Sequence, residues 1–236
     1  MNIKKIGVIG AGQMGNGIAH VLSLGGYKVI INDIDEGILR EASQKIKNNL
    51  ERQINSQKIS IDESHAALKL INYSVSLEDF SDVDLVIEAA TEDESTKQKI
   101  ISSLLPHIQE HTILTSNTSS ISITRLASCT DRPEKFMGFH FMNPVPVMQL
   151  VELIRGIATN QDTYQSCLEV VERLGKTAAR SEDFPAFIVN RILMPMINEA
   201  VYALYEGVGS VESIDTSMKL GANHPMGPLE LADFIG

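Results

Sequence analysis

Residues 6–33, IGVIGAGQMGNGIAHVLSLGGYKVIIND, decide the fold. An apolar run leads into Gly10-x-Gly12-x-x-Gly15. Helical spacing follows at Met14, Ile18, Val21 and Leu22, then a Gly25-Gly26 stop and a second apolar run over 27–32. Strand, glycine turn, helix and returning strand form a βαβ unit whose turn can face a pyrophosphate. Gly10 permits the tight turn, Gly12 lets backbone approach a ligand, and Gly15 lets the helix pack on its strand. The helix N-terminus adds free N–H groups and partial positive charge. Gly10, Ala11, Gly12, Gln13, Met14 and Gly15 are therefore candidate cofactor contacts. Asp33, at the end of the second strand, is placed to accept bonds from adenosine ribose hydroxyls, whereas Asp35 is expected to cap the next helix. A carboxylate there repels a 2′-phosphate, which favours NAD over NADP; FAD-binding chains share the glycine pattern.

Working outward, strands are expected at 3–10, 27–32, 83–89, 112–117, 135–141 and 148–155. These runs are too continuously apolar for a half-exposed sheet and alternate with helical patterns. They predict an α/β fold, a doubly wound, mostly parallel sheet of Rossmann type covered on both faces. Between the second and third runs, Ile38, Ala42, Ile46, Leu50 and Ile54 recur every four residues, and SIDE at 60–63 fits a capping box. Region 36–70 is either a lengthened crossover or an inserted helical hairpin that reaches over a ligand.

Beyond residue 180 the texture turns helical, from Phe184 to Glu206, over 211–220, and from HPMGPLELADF onward. Two domains are expected, 1–183 binding the dinucleotide and 184–236 all-helical. About fifty residues make a poor independent core, so the chain reads as stopping inside its second domain.

The bulk properties limit the alternatives. With 236 residues, 43% hydrophobic and 21% charged, the composition is globular. No apolar run approaches the roughly 20 residues of a membrane span. A net charge of −10 lacks the basic footprint of nucleic-acid binding. Cys129 and Cys167 have neither CxxC spacing nor His-rich company, so no metal site is expected. With no signal-peptide pattern at the start, they read as reduced thiols of a cytoplasmic protein.

A nicotinamide cofactor implies hydride transfer, and an alcohol substrate then needs a base for its hydroxyl proton. Of six histidines, His20, His65 and His107 fall on helical patterns, and His111 lies in a turn. His140 closes a strand just before NPVP, where open α/β sheets place ligands, although position alone equally allows a core histidine. Glu152, in the same apolar stretch GFHFMNPVPVMQLVEL (138–153), needs a partner if buried. The NPVPV turn can return its strand beside His140. A carboxylate on one ring nitrogen would fix the tautomer and leave the other as base.

With SNTSSISI (116–123), FIVNRILMP (187–195) and KLGANHPMGPLELADFIG (219–236) added, the chain resembles the 3-hydroxyacyl-CoA dehydrogenases, especially the short bacterial 3-hydroxybutyryl-CoA type. The resemblance implies an NAD-dependent exchange of a (3S)-3-hydroxyacyl-CoA with the 3-ketoacyl-CoA, and a homodimer formed by the helical domain. It gives His140 the acid/base role with Glu152 as its orienting partner. Ser119 and Asn190 would bond to the substrate oxygen, and Glu92, Lys97, Asn117 and Asn143 would line the cofactor. Asn49, Arg52 and Lys58 would donate to coenzyme A. The residues alone also allow Ser119 as a helix cap, Asn190 as a buried bridging amide, and Glu92 and Lys97 as solvated charges. Pro195 argues for a break or kink in its helix. A free β-hydroxy acid dehydrogenase would use a lysine where this chain has His140. A non-catalytic NAD-binding protein, or an inactive fragment, would carry the same motifs.

Overall fold

A computed structural model describes residues 3–235. An eight-stranded sheet has the order β3-β2-β1-β4-β5-β6-β7-β8. From β1 (Lys5–Ile9) through β2 (Lys28–Asn32), β3 (Ile71–Ser74), β4 (Leu85–Glu88) and β5 (Ile113–Ser116) to β6 (Phe136–Phe141), every pairing is parallel. β7 (Leu150–Arg155) runs antiparallel to β6, and β8 (Thr177–Glu182) runs parallel to β7. The strands expected from the sequence are present with trimmed ends. β3 and β8, the two edges, were not expected.

The central strands are buried end to end, as β4 (LVIE) and β6 (FMGFHF) show. Helices α1 (Gln13–Leu24), α2 (Glu36–Asn55), α3 (Ile61–Lys69), α4 (Glu94–Leu104), α5 (Ile123–Ala127) and α6 (Gln161–Arg173) accompany them. This is a doubly wound Rossmann-type fold, with α2 and α3 together forming the β2–β3 crossover. At 20 residues, α2 is about 30 Å long. It buries Leu39, Ala42, Ile46 and Leu50, so Leu39 rather than Ile38 begins its inward stripe. Asp35 caps α2 through the Gly37 N–H, and Ser60 and Glu63 form the capping box of α3.

A second compact unit begins after Pro185. It contains α7 (Val189–Tyr205), α8 (Val211–Gly221) and α9 (Pro228–Ile235), packed on one another. α7 starts later than the expected Phe184, because Ala186 and Phe187 adopt left-handed backbone (φ 66° and 54°). Pro195 lies inside α7, which continues past it. From α8, the Asp215 carboxylate accepts the Leu229 and Glu230 N–H groups at the start of α9. Among the described residues, no helix is long and apolar enough to cross a membrane.

Candidate active site

The glycine turn follows β1, and each glycine has its own reason. Gly10 has φ +93°, and a Cβ there would lie 2.7 Å from the Ala89 carbonyl oxygen. A Cβ at Gly15 would lie 1.7 Å from the Gly10 oxygen, so α1 can approach β1 only with glycine. Gly12 has an ordinary φ of −62°, and a Cβ there would meet nothing within 4 Å. Neither backbone nor internal packing requires glycine at 12, so the space it keeps clear lies outside the chain, at the N-terminus of α1. Asp33 Oδ2 accepts the Ala11 N–H at 2.8 Å, tying the end of β2 to the turn. Gln13 and Met14 open α1. This cradle of N–H groups, open space and a carboxylate fits a dinucleotide.

Strand register brings His140 and Glu152 together. They are direct partners across the β6–β7 pair, where side chains on one face meet. His140 Nδ1 lies 2.8 Å from Glu152 Oε2, with the two side chains 6% and 0% exposed. On the other side of the ring, His140 Nε2 is 3.2 Å from Ser119 Oγ. If Nδ1 donates to Glu152, Nε2 is left to accept from a hydroxyl. Ser119 is not a helix cap. Ser122 caps α5 by accepting the Arg125 N–H, and Asp183, at the end of β8, accepts the Ile123 and Thr124 N–H groups and the Ser122 hydroxyl.

Lys97 is not a solvated charge, and Glu92, with 41% of its side chain exposed, is nonetheless bonded within the fold. Lys97, on α4 and 1% exposed, directs its ammonium at both oxygens of Glu88 (2.8 and 2.9 Å), and Glu92 Oε2 lies 3.6 Å away. Glu88 also accepts the Ser116 hydroxyl at 2.6 Å. Sequence reasoning missed Glu88, though an acid ending the buried run LVIE carries the same signal that singled out Glu152. Glu92 Oε1 accepts the hydroxyls of Thr118 and Ser120 and the N–H groups of Ser119 and Ser120. Partial burial would raise the Glu92 pKa. The bonds from Thr118 and Ser119 and the charge of Lys97 outweigh it and hold the carboxyl below its usual range.

Asn117 is buried and accepts the Phe141 N–H at 2.9 Å, joining β5 to the end of β6. Asn143 accepts from the Gln13 side chain at 3.1 Å, linking the β6–β7 loop to the glycine turn. Asn49 and Arg52, on α2, line a cavity of about 360 Å³ with Gln13, Asn16, Lys45 and Asn143. Lys58 stands exposed in the α2–α3 turn, outside that lining. Asn190 occupies the first turn of α7, in the second unit. Among the described residues, no group of three or more His, Cys, Asp or Glu side chains could hold a metal ion.

Comparison with known proteins places this arrangement. Residues 5–184 match the 3-hydroxyacyl-CoA dehydrogenase NAD-binding domain, and residues 187–236 match the C-terminal domain of the same family. The chain belongs to the 3-hydroxyacyl-CoA dehydrogenase family. A 3-hydroxybutyryl-CoA dehydrogenase of Bradyrhizobium diazoefficiens is 59% identical over 99% of this chain and 80% of its own length. A probable 3-hydroxybutyryl-CoA dehydrogenase of Bacillus subtilis is 47% identical over 100% of this chain and 82% of its own. The crystal structure of (S)-3-hydroxybutyryl-CoA dehydrogenase from Ralstonia eutropha superposes with a TM-score of 0.97 at 46% identity, covering 100% of this chain and 83% of that one. Family membership makes the chain an NAD-dependent oxidoreductase.

Proposed function

We propose that this enzyme interconverts a (3S)-3-hydroxyacyl-CoA, of the 3-hydroxybutyryl-CoA class, and the 3-ketoacyl-CoA, with His140 and Glu152 as its acid/base dyad. The observation that carries the proposal is the unbroken line from Ser119 Oγ through the His140 ring to Glu152. It lies on the side of the sheet where the parallel strands end and the glycine turn sits, with Glu152 reaching it from the first half of antiparallel β7. When bound, NAD supplies the hydride acceptor for oxidation, and in reduced form the donor for the reverse. In oxidation, His140 Nε2 takes the hydroxyl proton while Glu152 holds the Nδ1 proton and balances the imidazolium charge. In reduction, the imidazolium returns the proton to the carbonyl oxygen. A substrate oxygen brought to Nε2 also meets Ser119, 3.2 Å away, whose hydroxyl donates to it where charge develops. Asn190 is proposed as a second donor on the family's pattern.

Gly10, Ala11, Gly12, Gln13, Met14 and Gly15 are proposed to hold the pyrophosphate and Asp33 the adenosine ribose, with Asn117 and Asn143 lining the site. Asn49 and Arg52 are proposed donors to coenzyme A from their shared cavity; Lys58 would have to reach there from its exposed turn. Ile192, Val201, Tyr202 and Tyr205 of α7 are exposed, and covering such a face supports a homodimer through the second unit. Light scattering is expected to give about twice the single-chain mass at micromolar concentration, and a monomer there would refute it.

A Ser–His–Glu line also suits acyl transfer, but this one lacks a place for the oxyanion. The N–H groups of Ser119 and Ser120, which would have to receive it, already donate to Glu92. The test of the oxidoreductase is turnover of acetoacetyl-CoA with each reduced cofactor. NADH is expected to support turnover with a kcat/KM at least about tenfold above that for NADPH, because Asp33 repels the 2′-phosphate. No turnover with either would contradict the function, and equal turnover would contradict the role of Asp33.

A further inference from the structure

Ser119 stands in a turn held partly by itself, through Thr118 Oγ1 accepting the Ile121 and Ser120 N–H groups at 3.0 and 3.3 Å, and partly by carboxylates. Residues 117–120, between β5 and α5, belong to no helix or strand, and three carboxylates fix their path. Asp183 secures the far end, at Ser122, Ile123 and Thr124. Glu88 secures the near end through Ser116, whose Oγ in turn accepts the Thr118 N–H at 3.2 Å. Glu92 holds the middle. Its Oε1 gathers the Thr118 hydroxyl at 2.6 Å, the Ser119 N–H at 2.8 Å, and the Ser120 N–H and hydroxyl at 3.1 Å each.

Four donors from three consecutive residues thus converge on one oxygen, and one of them is the backbone of Ser119 itself. The other oxygen of Glu92 faces Lys97, which the buried Glu88 holds in place. The Lys97 ammonium is accordingly engaged inside the protein. Lining a cofactor would require none of these bonds to the turn.

We infer that Glu92 is a positioning residue, anchored by the Lys97–Glu88 pair, that sets the Ser119 hydroxyl against His140 Nε2. The inference rests on the reading of Ser119 as donor to the reacting oxygen. Removing Glu92 leaves Ser119 in place chemically but frees its backbone, and a misplacement of about 1 Å can cost about 10²-fold in rate.

A double-mutant cycle tests it, with kcat measured for acetoacetyl-CoA reduction at saturating NADH. Glu92→Ala is expected to lower kcat about tenfold or more, and Ser119→Ala by about 10²-fold. The double variant should fall no further than Ser119→Ala alone, because no hydroxyl remains to be positioned. Glu92→Gln keeps an acceptor oxygen for the turn and should recover most of the loss. NADH affinity, read from the cofactor's own fluorescence, is followed separately; because kcat is taken at saturating NADH, weaker cofactor binding alone leaves the cycle unchanged. Melting curves establish that each is folded; should Glu92→Ala not fold, Glu92→Ser, a polar side chain too short to reach the turn, replaces it in the cycle.

Additive losses in the double variant would overturn the inference. So would a Glu92→Ala chain whose NADH affinity collapses while kcat at saturation is intact, since Glu92 would then be a cofactor contact. If Ser119→Ala alone keeps wild-type kcat, both the inference and the proposed role of Ser119 fail, a result distinct from the other two.

Discussion

Two buried histidines share this domain, and their surroundings differ in every respect that matters for chemistry. His140, 5% exposed, lies between Glu152 on one ring nitrogen and Ser119 on the other. His20, 0% exposed in the middle of α1, has neither ring nitrogen in good hydrogen-bond geometry with a partner among the described residues, although the Gln53 amide is close enough to act on it. Burial pushes the His20 pKa down to about 4; the neighbouring Gln53 amide opposes the shift, and the charge of Lys176 adds to it. A neutral, fully buried imidazole without a carboxylate beside it behaves as a large core residue. The same ring placed where an antiparallel partner supplies a carboxylate becomes a candidate proton carrier. Burial does not separate the two roles; the strand register does.

The comparison can be sharpened first through stability. An unfolded histidine titrates near 6.5, whereas folded His20 titrates at about 4. Between those values the unfolded chain binds a proton that the folded chain refuses, so stability falls as pH drops through that window. The full penalty, present below the folded pKa, is roughly 3 kcal/mol. In urea titrations at pH 7 and pH 4.5, wild type should lose more stability than His20→Leu, which carries no proton site there. Equal losses in the two chains would contradict the assignment of His20 as an acid-labile core residue. The smaller effect is on catalysis. His20→Leu should stay within about threefold of wild-type turnover at neutral pH, because nothing links that ring to the reacting groups.

How much of this was legible in the sequence follows from where continuous apolar runs occur. The buried central strands declare themselves, and the NPVP turn told of a strand returning to His140. The edge strands did not. β3 reads INYS with only its first residue buried, and β8 reads TAARSE with only Ser181 buried. An edge strand has one pairing neighbour and no need of a run apolar on both faces. Glycine spacing was legible because Gly10 and Gly15 have separate steric reasons and Gly12 leaves space open beside them. The network around Ser119 was not, since the turn at 116–124 meets Glu88 and Glu92 only through the β4-β5 pairing and meets Asp183 only through the return of β8. Single residues at the ends of strands carry no period, so their convergence is a property of topology.

The central claim is that the His140–Glu152 pair moves the proton. Its most direct test is steady-state turnover of acetoacetyl-CoA with NADH by His140→Asn and Glu152→Gln, with NADH affinity measured on the same preparations. Neither amide can exchange the proton, and a glutamine at 152 leaves the imidazole tautomer unfixed and the imidazolium without a counter-charge. Both variants are expected to bind NADH as wild type does and to lose roughly 10³-fold or more in kcat. Near wild-type kcat in both, with affinity unchanged, would contradict the account.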